Sequence, residues 1–559
     1  MSLFDFDFDR YLLDDEFTQM LHEARDAYPE LVTLQSIGKS HQNRDIWALD
    51  ITNPKTGPHD TKPAFYVDGN NHGEEVSGSM AALFLIRDVL ENYGKDPEIT
   101  HLLDTRTLYI VPRMNPDGAE ISMTTAYHTV GNGHYLPWEY RPENGWYPYD
   151  VNEDGYLLTM LIPREDGEWK KSEKDPRVLL PREPGDQDGP FYLRLPEGLI
   201  ANYDGGEIAV NRPPHGNLNR QFPFQWAPDP IEYGAGTHPL NEPEAMAVFQ
   251  YIMKRPNISG VHAYHTMGGV LLRPRTAEHA DMTQEDVLLL EDLAILGEKH
   301  TNYAPIPLPG TESAGTDTAR RHGIFTGWVY SHLGIPGYTV ELWDANPAAG
   351  LEKRRAFTPR RVVPEDEQIQ LLKWNDEKLN GEYFIPWTPF EHPQLGPVEI
   401  GGWNPVYGLR NPPPAYLKSE IEPVAKYSIA QALTTPRVKI EDVKVDHLDE
   451  DLLEIQAQFK NVGYMSTYIS QMAVDMTIDE KPFVELCGEG LTFLSGSSRT
   501  TIDHLPGTWQ RRQPWSPWGE PWMSPTVSLK WLVRLDNTDV IELRITSEKG
   551  GTDEKTLTV

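Results

Sequence analysis

A single cysteine, Cys487, in 559 residues excludes an internal disulfide framework and any Cys-rich metal site. No stretch approaches the roughly 18 consecutive apolar residues of a membrane-spanning helix. The opening residues, MSLFDFDFDRYLL, lack the basic start and apolar run of an export signal, so the chain as written is expected to be soluble and cytoplasmic. Basic residues are scarce too: 50 Lys and Arg face 84 Asp and Glu, for a net charge of −34. That balance argues against nucleic acid or an anionic membrane as a partner. It fits a solvated acidic surface or, more sharply, a preference for basic substrates. With 39% hydrophobic and 24% charged residues the composition is globular, and the length exceeds one ordinary domain.

Residues 10–50 read as a helix, DDEFTQMLHEARDAY, followed by two short strands, LVTLQSIG and DIWALDIT. Strands and helices then alternate: PAFYVDG, a helix over 75–93, TLYIVP, and later GVHAYH and GYTVEL. Such alternation predicts an α/β fold, a mixed and largely parallel twisted sheet with helices on both faces. Two Pro/Gly/Trp-rich stretches break the rhythm, an irregular insertion at about 119–215 and another at 384–417, before a helix near 418–433. Past TTPRVKIEDVKV the texture changes to short alternating runs (LLEIQAQFKNVG, TYISQMAVDMTI, SLKWLVRL, VIELRITS), which predict a β-sandwich. The expected division is a catalytic unit over 1–434 and an accessory sandwich over 435–559. A chain ending near 434 should stay folded if the interface between them is small.

The stretch YVDGNNHGEEVSG (66–78) sets a histidine and two glutamates between a strand-like and a helix-like run. Val76, Met80, Leu83 and Leu90 share one helical face, which places His72 and Glu75 at the C-terminal end of a strand. Open α/β sheets bind ligands at such ends. Imidazole nitrogen and carboxylate oxygen, spaced i and i+3, suit zinc; otherwise the glutamates simply favour a helix N-terminus. Three further stretches bear on the choice. HGNLNRQFPFQW sets Asn219 beside Arg220, GVHAYHTMGGVLLRP offers His262 and His265, and GIPGYTVELWD embeds Glu341 in an apolar strand. A charge in such a run is rarely buried without a partner or a task.

In this order, HGEE, NPDG (115–118), NLNRQFP, YHTMGGVLLRP and YTVELWD, the sequence resembles the carboxypeptidase A-like zinc peptidases over roughly residues 10–350. The resemblance implies that His72, Glu75 and His265 bind one zinc. His265 stands directly before TMGG and nine positions before Pro274, as the family pattern has it, which leaves His262 as an ordinary strand histidine. It further implies that Glu341 is the general base for a metal-activated water, and that Asn219 and Arg220 take the free C-terminal carboxylate of a peptide substrate. Asp117 is expected to be a turn residue.

Departures from the pattern are specific. Asn217 stands where the family has Asp, Trp343 where better-known members have arginine, and Met267 replaces an aromatic. No capping tyrosine is evident in GTDTARRHGIFTGWVYSHLG (315–334), where Tyr330 aligns with a structural position. Arg141 and Arg164, both in the insertion, are the candidates for a further carboxylate-binding arginine. DVNEDG (150–155) matches the front half of a calcium loop through Asp150, Asn152 and Asp154, but Leu161 occupies its twelfth position; an acidic turn is the alternative. A zinc amidase or endopeptidase on the same scaffold, acting for instance on peptidoglycan stems, and an inactive scaffold whose sandwich binds a partner are the competing functions.

Overall fold

Eight of the strands form one sheet in the computed structural model, which describes residues 3–274, 282–306, 322–353, 363–512, 526–536 and 540–558. They are β1 (Val32–Lys39), β2 (Asp45–Ile51), β3 (Ala64–Gly69), β4 (Thr107–Val111), β5 (Ile258–Thr266), β6 (Val270–Leu272), β7 (Ala304–Ile306) and β8 (Gly337–Leu342). Their spatial order is β1-β2-β4-β3-β5-β8-β6-β7. The central four, β4-β3-β5-β8, run parallel, and β3, β4 and β5 are buried along their whole length, as continuous apolar runs predict. The sheet is therefore mixed with a parallel centre.

Side chains alternate across this sheet, so each strand serves two helical layers. Phe65, His262 and Tyr338 point to one face, where His262 and Tyr338 both meet Tyr427 of the Pro414–Ala432 helix. The Ser77–Asn92 and Gln284–Thr301 helices pack on that same helix. Tyr66 points to the other face, against Tyr251 of the Pro243–Met253 helix and Phe325 of the Phe325–Leu333 helix. Among the described residues no helix is long and apolar enough to cross a membrane.

The two stretches that looked irregular in sequence meet each other. Strands Thr159–Pro163, Trp169–Lys171, Leu179–Pro181 and Tyr192–Pro196 from the first join Phe384–His392 and Gly396–Trp403 from the second in a six-stranded antiparallel sheet. Their signal is hidden because several strands run only three to five residues and end on proline. Pro386 and Pro389 sit in the Phe384–His392 strand, which lies at the edge of this sheet, where a missing N–H costs least.

From Val438 onward two four-stranded antiparallel sheets enclose a separate core of Val438, Leu453, Ile455, Phe459, Val484, Trp531 and Leu543, a β-sandwich. One run departs from expectation. TYISQMAVDMTI carries no strand; it holds a short helix, Gln471–Asp475, and its Ile469 and Met472 pack into the large core instead. Buried Asp286 explains the shape. It accepts the N–H groups of Gln471 (2.7 Å) and Met472 (2.9 Å) at the start of that helix, and the Tyr330 hydroxyl (2.8 Å). Trp509 belongs to the same core, its indole donating to Asp292 at 2.7 Å.

Four buried apolar residues from beyond position 434, Met465, Ile469, Met472 and Trp509, thus pack into the large core. Trp509→Ala is expected to destabilise the whole chain by about 3–5 kcal/mol, the usual cost of removing a buried Trp. Thermal melting checks it: a clear fall in Tm of the main transition is predicted, and an unchanged transition would show that the two regions unfold independently.

Candidate active site

The HGEE turn is fixed by amide side chains and by two glycines in contact. Asn70 donates to the carbonyls of His72 (2.7 Å) and Gly73 (3.1 Å). Asn115 of NPDG accepts the Gly118 N–H, capping the Pro116–Thr124 helix, while its amide donates to Asn71 O (3.2 Å) and Gly131 O (3.0 Å). Asn411 donates to Glu74 O at 2.8 Å and accepts from Ser77 N at 2.9 Å, where the next helix starts. A Cβ on Gly73 would lie 2.6 Å from the Gly118 Cα, so neither motif tolerates a side chain there. Asp117 is buried and ties the helix to the β1–β2 turn through Ser40, Gln42 and Arg44. It thus stands in the first turn of a helix, where the sequence suggested a turn residue.

This turn brings His72 and Glu75 to the end of β5. One carboxylate serves two imidazoles: Glu75 Oε1 is 2.7 Å from His72 Nδ1, and Oε2 is 2.9 Å from His265 Nδ1 and 3.1 Å from the Thr266 N–H. The ligand atoms of the three residues all lie within 4.8 Å of one another. Burial alone would raise the Glu75 pKa, but the two imidazoles outweigh it and hold the carboxylate well below its ordinary range. Burial would lower His265, yet Glu75 foremost, then Glu341 and Asp68, raise it to about 9. His72 Nε2 and His265 Nε2 are buried without a hydrogen-bond partner among the described residues. Two imidazoles and a carboxylate converging on one point form a donor set that fits zinc.

Strand alternation separates the two candidate histidines. His262 lies three residues before His265 and therefore on the opposite face. There it is fully satisfied, with Nδ1 2.8 Å from Ser428 Oγ and Nε2 2.7 Å from Gln431 Oε1, and burial pushes its pKa down to about 3. Glu341 pairs in parallel register with His265 and shares its face. Asp68, at the end of β3, faces the same way; both its oxygens are buried without a hydrogen-bond partner among the described residues, and burial pushes its pKa up to about 7. Asp68 carries the same signal in sequence as Glu341, an acid in an apolar strand, PAFYVDG.

Asn219 and Arg220 lie in a short turn, Leu218–Arg220, opened by Asn217, whose side-chain Oδ1 accepts the Asn219 N–H at 2.9 Å. Asn219 Oδ1 accepts the Phe325 N–H (2.9 Å) at the start of its helix, and Glu232 fixes the Arg220 Nε at 2.7 Å. Asn217 thus shapes the turn that carries Asn219 and Arg220. Glu74 points away from Glu75 to a salt bridge with Arg410 at 2.9 Å, a contact that nothing in the sequence foretold.

The remaining candidates lie elsewhere. Arg141 donates to the carbonyls of Trp138 and Tyr140 and stacks over Tyr147, while Arg164 forks Asp166 at 2.7 and 2.6 Å at the end of the Thr159–Pro163 strand. Among the described residues neither is bonded to the Asn217–Gln221 segment. In DVNEDG the Asp150 oxygens accept the N–H groups of Asp154 and Gly155, Asn152 Oδ1 accepts Asp154 N, and Asp154 Oδ1 accepts Tyr156 N. That is an acidic turn closed by its own side chains and by Glu197, which accepts the Val151 N–H at 2.8 Å, so these side chains have a role with or without calcium. Trp343 is buried, its indole donating to Gly408 O at 2.8 Å. Tyr330 is held by Asp286, as a structural position should be. Residues 315–321 of the segment searched for a capping tyrosine lie outside the described residues.

Comparison with known proteins gives a family profile for zinc carboxypeptidases matching residues 17–371, and a second, for a domain of unknown function, matching 437–558. Carboxypeptidase D of Rattus norvegicus is 39% identical over 212 residues, 37% of this chain and 13% of that protein. Carboxypeptidase M of Mus musculus is 35% identical over 127 residues, 22% of this chain and 29% of that protein. The chain therefore spans less than a third of the length of these relatives. Among solved structures, thrombin activatable fibrinolysis inhibitor is similar with a TM-score of 0.44 at 16% identity, over 76% of this chain and 74% of the other.

The two histidines give a direct check. His265→Ala is expected to lose zinc from this group, and His262→Ala to keep it while losing stability through two broken buried hydrogen bonds, about 1–3 kcal/mol. Metal analysis and melting of the two variants read this; the opposite pattern would exchange their roles.

Proposed function

Since residues 17–371 make up more than half of it, the chain belongs to the zinc carboxypeptidase family, and we propose that it hydrolyses the C-terminal residue from peptides bearing a free terminal carboxylate. In this proposal His72, Glu75 and His265 hold the zinc, Glu341 is the general base, and Asn219 with Arg220 binds the substrate's carboxylate. The observation that carries it is the single Glu75 carboxylate shared by two imidazoles, with Glu341 in register beside the second.

When bound, zinc supplies Lewis acidity toward a water and the scissile carbonyl. The chain's own groups do the rest. Glu341 takes the water's proton and delivers it to the leaving amine. Its place on β8 sets its side chain on the His265 face, away from Val340 and Leu342. Arg220 offers a planar fork suited to a carboxylate, and Glu232 restricts its orientation. Asn219 couples the same turn to the start of the Phe325–Leu333 helix.

Two variants test these roles. Glu341→Gln keeps the shape but cannot accept a proton, so zinc content and folding should persist while kcat falls roughly 100- to 10,000-fold. An active Glu341→Gln enzyme would sink the mechanism. Arg220→Ala should act mainly by raising KM for peptides with a free terminal carboxylate, because it binds ground and transition states alike. Equal rates on free and amidated peptides in the unaltered chain would favour the amidase or endopeptidase alternative.

A further inference from the structure

A second convergence of metal-type donors lies outside the group just described. His41 sits in the turn between β1 and β2, His134 in the loop after the Pro116–Thr124 helix, and Glu242 directly before the Pro243–Met253 helix. His41 Nε2 is 2.6 Å from Glu242 Oε2, and His134 Nδ1 is 3.0 Å from Glu242 Oε1. The three ligand atoms lie within 4.8 Å of one another, the same criterion that the His72–Glu75–His265 group meets. The two imidazole rings stack with centroids 4.4 Å apart and planes inclined by 21°.

The surroundings shape Glu242 as a ligand. Its side chain is buried, 1% exposed, and the two imidazoles rise from it to the surface at 28% and 34%. Asn132 donates one amide nitrogen to both Glu242 Oε2 (2.9 Å) and Glu244 Oε2 (2.8 Å), and Asn241 donates to Glu242 Oε1 at 3.0 Å. Burial would raise the Glu242 pKa, but His41, Asn132 and His134 together bring it down to about 2, so it is a carboxylate at neutral pH. Two cationic rings stacked this closely would repel each other. Two neutral rings and a carboxylate facing a single divalent ion would not, and amides such as those of Asn132 and Asn241 hold a ligating carboxylate in place.

We propose that His41, His134 and Glu242 form a second divalent-cation site, distinct from the first and suited to zinc or a similar first-row ion. Imidazole and carboxylate ligands of this kind select that class over calcium or magnesium. Such an ion cross-links three segments far apart in sequence. It also braces the approach to Asn219 and Arg220: a Cβ on Gly216, just ahead of that turn, would fall 2.5 Å from Asn132 Oδ1 and 2.9 Å from the Glu242 carboxyl carbon.

The test uses the full chain stripped with chelator, dialysed against Zn²⁺, and counted by elemental analysis per chain. Two zinc ions are expected for the unaltered protein, one for His134→Ala, one for His72→Ala and none for the double variant. Should His134→Ala fold poorly, His41→Gln in the His72→Ala background gives a second reading: Zn²⁺ should raise the Tm of His72→Ala and leave His72→Ala/His41→Gln unchanged. A full count in both His134→Ala and His41→Gln, or no zinc bound by His72→Ala, would overturn the second site. Failure of the first site would look different, since His72→Ala would then lose nothing while His134→Ala still lost one ion.

Discussion

The candidate active site depends on one carboxylate. Glu75 is buried, and a buried charge is tolerated only when it is paired and hydrogen-bonded. Its two oxygens are divided between His72, carried on its own turn, and His265, carried on β5. The β3-to-helix junction is thereby tied to a strand almost two hundred residues later in the chain. Everything near it serves that geometry: Asn70, Asn115 and Asn411 fix the turn's carbonyls and amides, and Gly73 and Gly118 let two backbones touch. The arrangement is costly as a piece of pure structure. His72 Nε2, His265 Nε2 and both oxygens of Asp68 are buried without hydrogen-bond partners among the described residues, and such groups weaken a fold unless they serve a ligand.

The C-terminal region is joined to this framework through apolar contact as well as through the chain. Its sheets have their own core, but Met465, Ile469, Met472 and Trp509 belong to the large one. Asp286 links three elements at that junction, the Gln284–Thr301 helix on which it sits, Tyr330 of the next helix, and the start of Gln471–Asp475. The Phe325–Leu333 helix is thus held by the Asn219 turn at one end and by Asp286 further along. A disturbance of the sandwich junction therefore has a short physical route to the proposed substrate-binding turn.

Much of this was legible in the sequence where local pattern and tertiary role agree. Continuous apolar runs gave β3, β5 and β8, and the period of two explains why His262 and His265 part company onto opposite faces. The acid at 341 stood out because nothing else in GYTVEL is charged. Features assembled from distant segments could not be read in this way. Arg410 on Glu74, Asn411 on the HGEE turn, and the His41–His134–Glu242 cluster each join residues more than ninety positions apart, with no local periodicity to mark them. The six-stranded sheet escaped for another reason: its strands are short and proline-bounded, and their pairing partners come from two separate stretches. In TYISQMAVDMTI the alternation was real, but Asp286 offered two N–H acceptors and the segment turned into a helix start instead of a strand.

The central claim, zinc-dependent removal of C-terminal residues, is tested most directly by mass spectrometry of a peptide mixture incubated with the chain. Half of the peptides should carry a free C-terminus and half an amidated one. The account predicts products shortened by one residue from free C-termini, slow or absent cleavage of amidated peptides, loss of all products with chelator, and recovery on adding Zn²⁺. Internal cleavage, indifference to the terminal carboxylate, or undiminished activity after complete metal removal would contradict it.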